Sequence, residues 1–308
     1  MRVLVTGADG FVGQHICAHL REHGQEVIEG VGPAAESVNT RLKLDVTDAA
    51  SVFAAFRASQ PDAVINLAGY SSVAKADTEP DRAWRINALG SVNVLTAARD
   101  LAPKARILLV GSGETYGLLP PKIRADEKMP LQPRGVYASS KAAAELAGLQ
   151  FWRGAGLQVV LARPFNHLGR GQRHSYVVPS FAIQIHAIRR GMVEPTIRVG
   201  NLEAIRDFLH VEDTVAAYRL LLTRGEPGAA YNVCSGIGRS IRSLLDEMLN
   251  IAGVRARVEV DPVRFRPGEI PELVGNNELL KQLGWSVQNS VAQGLREVIE
   301  EHHSSAAP

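Results

Sequence analysis

Tyr137 and Lys141 are the residues whose types and spacing most directly suggest catalysis. A separation of four places both side chains on the same face of a helix. Because a nearby ammonium favours the phenolate, we expect Lys141 to lower the pKa of Tyr137 from its reference value of roughly 10 toward neutrality. The pair is therefore predicted to supply a general acid or base at neutral pH.

Ser112 is predicted to lie close to this pair, although it comes earlier in the chain. It follows an apolar stretch typical of a buried strand, and consecutive strand ends of a doubly wound sheet open into one crevice. Ser112 can then hydrogen-bond a substrate carbonyl or alkoxide alongside Tyr137. Taken singly, Ser112 is typical of a turn residue and Tyr137 of an aromatic residue at the start of a helix. Their occurrence together with a nucleotide-binding turn favours catalysis.

Three glycines at a spacing of three form that turn, between a predicted strand and a predicted helix. Gly7 permits the tight turn, Gly10 lets backbone N–H groups approach a pyrophosphate, and Gly13 allows close packing of helix on strand. The N-terminus of the helix then favours an anion. This context favours dinucleotide binding over a purely structural turn, with cofactor contacts expected from Gly7, Gly10, Phe11, Val12 and Gly13.

The end of the second strand bears on which dinucleotide binds, because enzymes that prefer NAD carry an acid there. Val31 occupies that position, and Glu29 is expected to lie inside the strand. No arginine clearly replaces the acid, so the sequence favours NADP(H) and leaves NAD(H) open. For Asp45, a turn or helix-capping role is nearly as consistent as a cofactor contact. The remaining cofactor site is expected to include Asp45, Val46, Leu67, Ala68 and Gly69.

The elements that must position these residues follow from hydrophobic periodicity. Six apolar segments are predicted as strands, at residues 2–6, 26–31, 41–46, 63–68, 106–111 and 158–163. Amphipathic segments between them predict crossover helices, with long ones at about residues 81–99 and 137–153. This alternation is typical of α/β proteins and predicts a Rossmann-type, doubly wound parallel sheet.

The alternation of strands and helices loosens after residue 165. We expect residues 1–165 to form a dinucleotide-binding domain and residues 166–308 to form mainly a smaller C-terminal, substrate-binding lobe. Part of the second segment, at about residues 200–235, is expected to return to the main domain. A chain of 308 residues suits one main core with a smaller lobe.

Composition excludes several classes of protein. With 45% hydrophobic and 21% charged residues the chain is globular, and a net charge of +2 gives no indication of nucleic-acid binding. No apolar run approaches the roughly 20 residues that a membrane span needs. Cys17 and Cys234 cannot build a disulfide framework or a cysteine-based zinc site. Because the opening segment predicts a strand rather than a secretory signal, we expect a cytoplasmic protein.

No metal site is predicted. His15, His19 and His23 recur at a spacing of four along the first helix, but no carboxylates accompany them. A solvated helix face explains this pattern better than a set of metal ligands.

Several motifs resemble those of a known family: TGADGFVG, GSGETYG, YASSK, RPFNHLGRGQ, LHVED, YNVCSG and RPGEIPELVGN. Over nearly its whole length the chain resembles the extended short-chain dehydrogenases/reductases, in the nucleotide-sugar branch and most closely its GDP-mannose-linked enzymes. The resemblance implies NAD(P)H-dependent reduction of the 4-keto group of a GDP-linked 4-keto-6-deoxy hexose to give GDP-D-rhamnose. It also implies a homodimer built from the two long helices.

The resemblance assigns roles to individual residues. The catalytic set that it implies is Ser112, Tyr137 and Lys141. The substrate contacts that it implies are Ser71, Ser112, Asn166, Val178, Arg206, Arg266 and Glu269, and it adds Pro164 as a cofactor contact. Guanidinium groups suit the diphosphate or ribose region because they bind phosphate in bidentate fashion. Without the family, Arg206 beside Asp207 is equally consistent with a solvated ion pair.

Residues 112–114 distinguish reduction from dehydration. Dehydratases of this branch place an acidic or hydroxyl residue before the glutamate, because elimination needs an acid for the leaving hydroxyl and a base for the C5 proton. Gly113 offers no acid, whereas Glu114 retains the base. The chain also lacks the extension that GDP-mannose dehydratases carry after the second strand. We therefore favour a reductase; the alternatives are a GDP-mannose 4,6-dehydratase, another nucleotide-sugar epimerase or dehydratase, and a dinucleotide-binding regulatory protein.

Overall fold

The computed structural model describes residues 1–33, 41–265 and 269–304, the last three of them by their backbone alone. The strands are β1 (Arg2–Thr6), β2 (Glu26–Val31), β3 (Arg41–Lys43), β4 (Ala63–Asn66), β5 (Arg106–Val110), β6 (Gln158–Pro164), β7 (Asn166–Leu168), β8 (Thr196–Val199), β9 (Ile205–His210), β10 (Ala230–Val233), β11 (Gly238–Ser240), β12 (Arg257–Val260) and β13 (Glu272–Leu273). The α-helices are α1 (Phe11–Glu22), α2 (Ala49–Ser59), α3 (Val73–Thr78), α4 (Pro80–Trp84), α5 (Gly90–Leu101), α6 (Gly135–Ala155), α7 (Val177–Arg189), α8 (Val211–Arg224), α9 (Ile241–Ala252), α10 (Glu278–Gln282) and α11 (Val291–Ser304). A π-helical turn occupies Arg85–Leu89, and 3₁₀ turns occupy Gly113–Tyr116 and Pro262–Arg264.

The main sheet is parallel throughout and, within the described ranges, has seven strands in the order β10-β6-β5-β4-β1-β2-β3. Its strand β1 lies between β2 and β4, with Val3 opposite Val27 on one side and Ala63 on the other. Because the strands are parallel, their carboxyl ends lie along one edge, where ligands bind in sheets of this kind. The predicted Rossmann-type, doubly wound α/β fold is confirmed.

Helices cover both faces of this sheet. Val3 and Val5 of β1 are fully buried in a core to which α1 and α8 contribute. Leu4, between them, is fully buried in a second core to which α2 and α5 contribute. Alternate residues of one strand thus enter opposite cores, which explains why the strands are continuous apolar runs.

Two predicted strands are shorter in the structure by two or more residues. The third ends at Lys43 rather than at residue 46, because the carboxylate of Asp45 accepts from Thr47 N at 2.9 Å and turns the chain toward α2. The cap of α2 is Asp48, whose side chain accepts from Ala50 N. The fourth strand ends at Asn66, so residues 67–69 form the loop that follows it.

The long helix predicted at about residues 81–99 is interrupted. Five residues, Arg85–Leu89, form a π-helical turn between α4 and α5. A π turn adds a residue to a helical turn and commonly marks a functional site. Here the widened turn contains Asn87, which is buried and bonded to neighbouring elements.

A smaller lobe follows β6. Helices α7, α9 and α11 pack around a third apolar core, which includes Phe181, Leu244 and Leu295. Two small sheets complete the lobe, one with β9 paired to β7, β11 and β13, and one with β8 paired to β12. The chain also returns to the main domain, where α8 contributes to the α1 core and β10 pairs with β6. The domain boundary at residue 165 stays a prediction. Over the described ranges, no helix has the length and apolar character that a membrane span requires.

Candidate active site

The turn between β1 and α1 has the shape that its glycine spacing predicts. Gly7 has a φ of +67°, and a Cβ there would lie 2.9 Å from Ala68 N. A Cβ at Gly13 would lie 2.3 Å from Gly7 O, so α1 can approach β1 this closely only with glycine at position 13. Gly10 is the extended residue before α1, and in the part of the chain that the structure describes no side chain caps this helix. The first N–H groups of α1 therefore fit a pyrophosphate.

The loop after β4 lies against this turn. Ala68 N donates to Thr6 Oγ1 at 3.0 Å, and Thr6 Oγ1 donates to Asn66 Oδ1 at 2.7 Å. A Cβ at Gly69 would lie 3.2 Å from Lys141 Nζ. The glycine turn, residues 67–69 and Lys141 therefore lie together at the carboxyl edge of the sheet, where the fold predicts the ligand crevice, so that most of the predicted cofactor residues come together.

Ser112 and Tyr137 meet at the same edge. Ser112 is 6% exposed at the end of β5, and its Oγ accepts from Glu114 N at 3.2 Å. Burial raises the pKa of Tyr137, and the nearby Tyr176 and Glu114 raise it further, whereas the Ser112 hydroxyl that hydrogen-bonds the phenol lowers it. The site thus holds a protonated phenol beside a serine hydroxyl at neutral pH.

The predicted lowering of the Tyr137 pKa by Lys141 is wrong. Lys141 Nζ donates to Val110 O at 3.0 Å, and burial lowers the pKa of Lys141 itself to about 8. Burial disfavours both the ammonium and the phenolate, and it is the largest cause of the pKa shift of each side chain.

Asn87 is a residue of the crevice that sequence reasoning missed. Its Nδ2 donates to Ser140 Oγ at 2.9 Å and its Oδ1 accepts from Tyr70 N at 2.7 Å. A Cβ at Gly69 would lie 3.3 Å from Asn87 Oδ1, so the amide lies next to the crevice wall. A buried amide within a helical stretch is the signal that could have identified it, since such groups must find partners.

Asp9, near the end of β2, is a second residue that sequence reasoning missed. Val31 is fully buried, and Glu29 lies inside the strand as predicted, bound to Arg21 at 2.6 Å and Arg41 at 2.7 Å. The acid near the end of the strand comes instead from the glycine turn, because Asp9 Oδ1 accepts from Gly32 N at 3.4 Å. A carboxylate therefore lies where only apolar groups were expected.

Two predicted cofactor contacts have their side chains engaged locally. Asp45 accepts from Thr47 Oγ1 at 2.7 Å as well as from Thr47 N, which is the turn role considered from the sequence. The Val46 side chain is buried against α5, where a Cβ at Gly90 would lie 2.7 Å from it. Among the described residues, no contact directs the side chain of Asp45 or Val46 toward the predicted cofactor site.

The segment after β6 presents a small polar face. Asn166 is exposed at the start of β7, whereas Pro164 and Phe165 are buried. A Cβ at Gly113 would lie 3.0 Å from three atoms of the Phe165 ring. Phe165 therefore occupies the space that a side chain at position 113 would need.

Arg206 and Glu269, both expected at the substrate, contact each other. Arg206 is 8% exposed, and its Nη2 lies 3.6 Å from Glu269 Oε1. Glu269 Oε2 also accepts from Asn201 Nδ2 at 3.0 Å. The alternative of a solvated ion pair with Asp207 is wrong, because Asp207 is fully buried and accepts from Ser235 N at 2.8 Å. Arg266 lies outside the described residues.

Ser71 and Val178, the remaining predicted substrate contacts, differ in environment. Ser71 is exposed after β4, and Tyr176 Oη donates to its Oγ at 2.8 Å. Val178 is 1% exposed in the core of the smaller lobe, so that only its backbone can face a ligand.

The histidines of α1 are only partly solvated. His23 is exposed as expected, but His15 Nδ1 contacts Glu212 Oε1 at 2.6 Å and its Nε2 contacts Arg170 O at 2.8 Å. His19 Nε2 accepts from Arg219 at 3.2 Å. The expectation of a wholly solvated face was wrong because α8 packs against it. Across the described side chains, no group of three His, Cys, Asp or Glu is arranged to hold a metal ion.

The sequence and the fold match those of known proteins. The sequence model of the family described as GDP-mannose 4,6 dehydratase matches residues 4–298. The chain is 36% identical over 306 residues to GDP-6-deoxy-D-mannose reductase of Pseudomonas aeruginosa, covering 98% of this chain and 97% of that relative. The structure of RMD from Pseudomonas aeruginosa complexed with NADPH matches with a TM-score of 0.89 and 35% identity, covering 99% of both chains. The NAD complex of Thermus thermophilus UDP-glucose 4-epimerase matches with a TM-score of 0.90 and 29% identity, covering 99% of this chain and 100% of that chain.

Proposed function

The chain belongs to the GDP-mannose 4,6-dehydratase family of extended short-chain dehydrogenases/reductases, and from that membership we propose that it reduces GDP-4-dehydro-6-deoxy-D-mannose to GDP-D-rhamnose. Membership of this family makes it an NAD(P)-dependent oxidoreductase. The observation that carries the proposal is the meeting of Ser112, Tyr137 and Lys141 beside the glycine turn. The identity with GDP-6-deoxy-D-mannose reductase over 98% of the chain supports the choice of substrate.

The crevice offers a distinct place to each part of a dinucleotide. We assign the pyrophosphate to the first N–H groups of α1, which no described side chain caps, and to the backbone of Gly10. Residues 67–69 line the adjoining wall, and Lys141 is assigned to the nicotinamide ribose. When bound, NADPH supplies the hydride that reduces C4 of the sugar.

Tyr137 is proposed as the acid that gives its hydroxyl proton to the oxygen at C4. Burial raises its pKa, which keeps the phenol protonated at neutral pH, as an acid requires. Ser112 donates a hydrogen bond to the same oxygen and shares the charge that develops on it. A substrate held next to both groups also gains from fixed orientation.

Gly113 favours reduction over dehydration. A dehydratase needs an acid for the leaving hydroxyl as well as a base, and Glu114 can serve only as one of the two. A side chain at position 113 would lie 3.0 Å from the Phe165 ring, which is 5% exposed and tightly packed. This close packing supports a reductase without dehydratase activity.

The proposed cofactor is NADP(H), with NAD(H) as the alternative. Val31 leaves β2 without the terminal acid that favours NAD, and the similar RMD structure contains NADPH. Asp9, however, brings a carboxylate near Gly32 at this point. The preference for NADPH is therefore expected to be modest.

A homodimer is proposed from the apolar surface around α5 and α6. Trp84, Leu89 and Leu146 are 40%, 58% and 62% exposed, and they lie on elements that pack against one another. Burying them against a second copy would remove this surface from water. The substrate-binding role of the smaller lobe and a cytoplasmic location stay predictions.

The direct test supplies GDP-4-dehydro-6-deoxy-D-mannose and NADPH and follows the near-ultraviolet absorbance of NADPH. We expect its oxidation, and NMR of the product is expected to identify GDP-D-rhamnose. The same assay with the corresponding UDP- and dTDP-linked keto sugars tests the nucleotide. Absence of turnover with the GDP substrate, or faster turnover with another nucleotide, contradicts the proposal.

A further inference from the structure

A hydrogen bond joins the smaller lobe to the loop that follows β4. Tyr176 Oη donates to Ser71 Oγ at 2.8 Å and lies 3.4 Å from Ser71 O. Tyr176 precedes α7 of the smaller lobe, whereas Ser71 follows β4 of the main sheet. The bond thus joins elements that are distant in the sequence.

The same tyrosine lies near Tyr137. Burial is the main cause of the raised pKa of Tyr137, and among the neighbouring groups Tyr176 raises it further. Its hydroxyl bonds Ser71, which comes two residues after Gly69, where a Cβ would lie 3.2 Å from Lys141 Nζ. The Tyr176–Ser71 bond therefore lies close to the residues assigned to the reaction.

The other end of this loop is also anchored. His15 Nε2 contacts Arg170 O at 2.8 Å, and Gly171 N donates to Glu301 Oε2 at 2.9 Å. Residues 173–175 between the two anchors are exposed. The loop is thus held by α1 and α11 at its base and by α7 at its far end, and the bond from Tyr176 to Ser71 ties that far end to the main sheet.

We infer that Tyr176 is a positioning residue for the sugar, and that its bond to Ser71 sets the width of the space in which the hexose lies against Tyr137. The inference rests on the proposed function for its substrate. A hydroxyl held by a neighbour has little freedom left, so the loop loses less entropy when the sugar binds. Both the affinity for the nucleotide sugar and its alignment with Tyr137 then depend on the Tyr176–Ser71 pair.

The test is a double-mutant cycle with Tyr176→Phe and Ser71→Ala. Calorimetry in the presence of NADP⁺ measures the binding of GDP-mannose, which lacks the keto group and is therefore not reduced. If UDP-glucose or dTDP-glucose binds the wild-type protein more tightly than GDP-mannose does, that nucleotide sugar is used as the ligand instead. We expect each single change to weaken binding about fivefold, as for one hydrogen bond, and the double change to weaken it no further. Turnover is expected to show a higher KM and a lower kcat, with NADPH affinity unchanged.

Hydrogen exchange provides a readout that needs no turnover. Faster exchange of amides in residues 173–178 is expected in both single variants, and to the same extent. Tyr231→Phe is the matched control, because it removes a phenol that accepts from Glu226 N at 3.0 Å outside the crevice. It should change neither binding nor exchange in this loop.

Two results would overturn the inference. Additive losses in the cycle would mean that Tyr176 and Ser71 act independently on the sugar, and unchanged exchange would mean that the bond does not hold the loop. Failure of the proposed function gives a different result, because the wild-type protein then oxidises no NADPH with the GDP-linked keto sugar. The binding cycle and the hydrogen-exchange data need no turnover, so they test the role of the Tyr176–Ser71 bond separately.

Discussion

Lys141 Nζ donates to the carbonyl of Val110 at 3.0 Å, so the amine of α6 is tied to the last residue of β5. The side chain belongs to a residue that is only 7% exposed, and burial lowers its pKa to about 8. Unfolding returns the amine to water, where its pKa rises to the ordinary value. The charge of Lys141 is therefore maintained in the folded protein at a cost in stability.

The first prediction concerns this cost and its pH dependence. Below about pH 8 the folded protein holds a buried ammonium, which water solvates better in the unfolded chain. Stability should rise as the pH increases from about 8 to about 10.5, because there the unfolded chain binds more protons than the folded one. Lys141→Met is expected to raise the free energy of unfolding at pH 7 by about 2 to 3 kcal/mol.

Urea denaturation of wild type and variant at pH 7 and pH 10 measures this difference. The gain should shrink at the higher pH. Lys104→Met removes an exposed amine and should give no pH-dependent gain. A gain for Lys141→Met that is the same at both pH values would contradict the buried charge.

The second prediction concerns the proposed acid. Tyr137→Phe removes the hydroxyl and keeps the ring, so turnover of the keto sugar should fall by about a factor of a thousand. NADPH affinity, measured by fluorescence titration, should stay within about twofold, because the glycine turn is untouched. Substantial turnover in this variant would exclude Tyr137 as the proton donor.

The third prediction follows from the contact between Gly113 and Phe165. Gly113→Ala places a methyl group 3.0 Å from the aromatic ring, and we expect a loss of about 1 to 3 kcal/mol in stability from overpacking. Gly154→Ala is the control, since a Cβ there would approach only the Gln150 side-chain amide, at 3.3 Å. Thermal denaturation should show a lower Tm for the first variant alone.

From the packing of Phe165 against Gly113 we also predict the result of a dehydratase assay. Wild type and Gly113→Ser are both expected to produce no 4-keto sugar from GDP-mannose and NADP⁺. Product formation by wild type would indicate that the reaction does not need a side chain at position 113, and the reductase assignment would have to be revised.

The fourth prediction concerns Asp9 and the choice of cofactor. Its carboxylate lies near Gly32, at the end of β2 where the adenosine 2′ group is expected. Asp9→Asn removes a negative charge that opposes a 2′-phosphate, so affinity for NADPH relative to NADH should rise about threefold to tenfold. Dissociation constants for both dinucleotides measure the ratio. Asp246→Asn, an exposed change on α9, should leave the ratio as it is.

Local patterns determined much of this protein. The strand, turn and helix that carry Gly7, Gly10 and Gly13 are consecutive in the chain, and backbone sterics require glycine at positions 7 and 13. The spacing of Tyr137 and Lys141 likewise needs only one helix to bring both to the same face. Alternation of apolar strands with amphipathic helices was enough to predict the parallel sheet, because burial on both faces leaves a continuous apolar signature.

Contacts between distant segments required the tertiary structure. Phe165 fills the space beside Gly113, Tyr176 reaches Ser71, and the helix predicted as continuous contains a π turn with Asn87 at its centre. None of these follows from periodicity, which reports which face of an element is buried and not what it meets there. The sign of the Tyr137 pKa shift was also decided at this level, since desolvation depends on everything packed around the phenol and not on its neighbour four residues away.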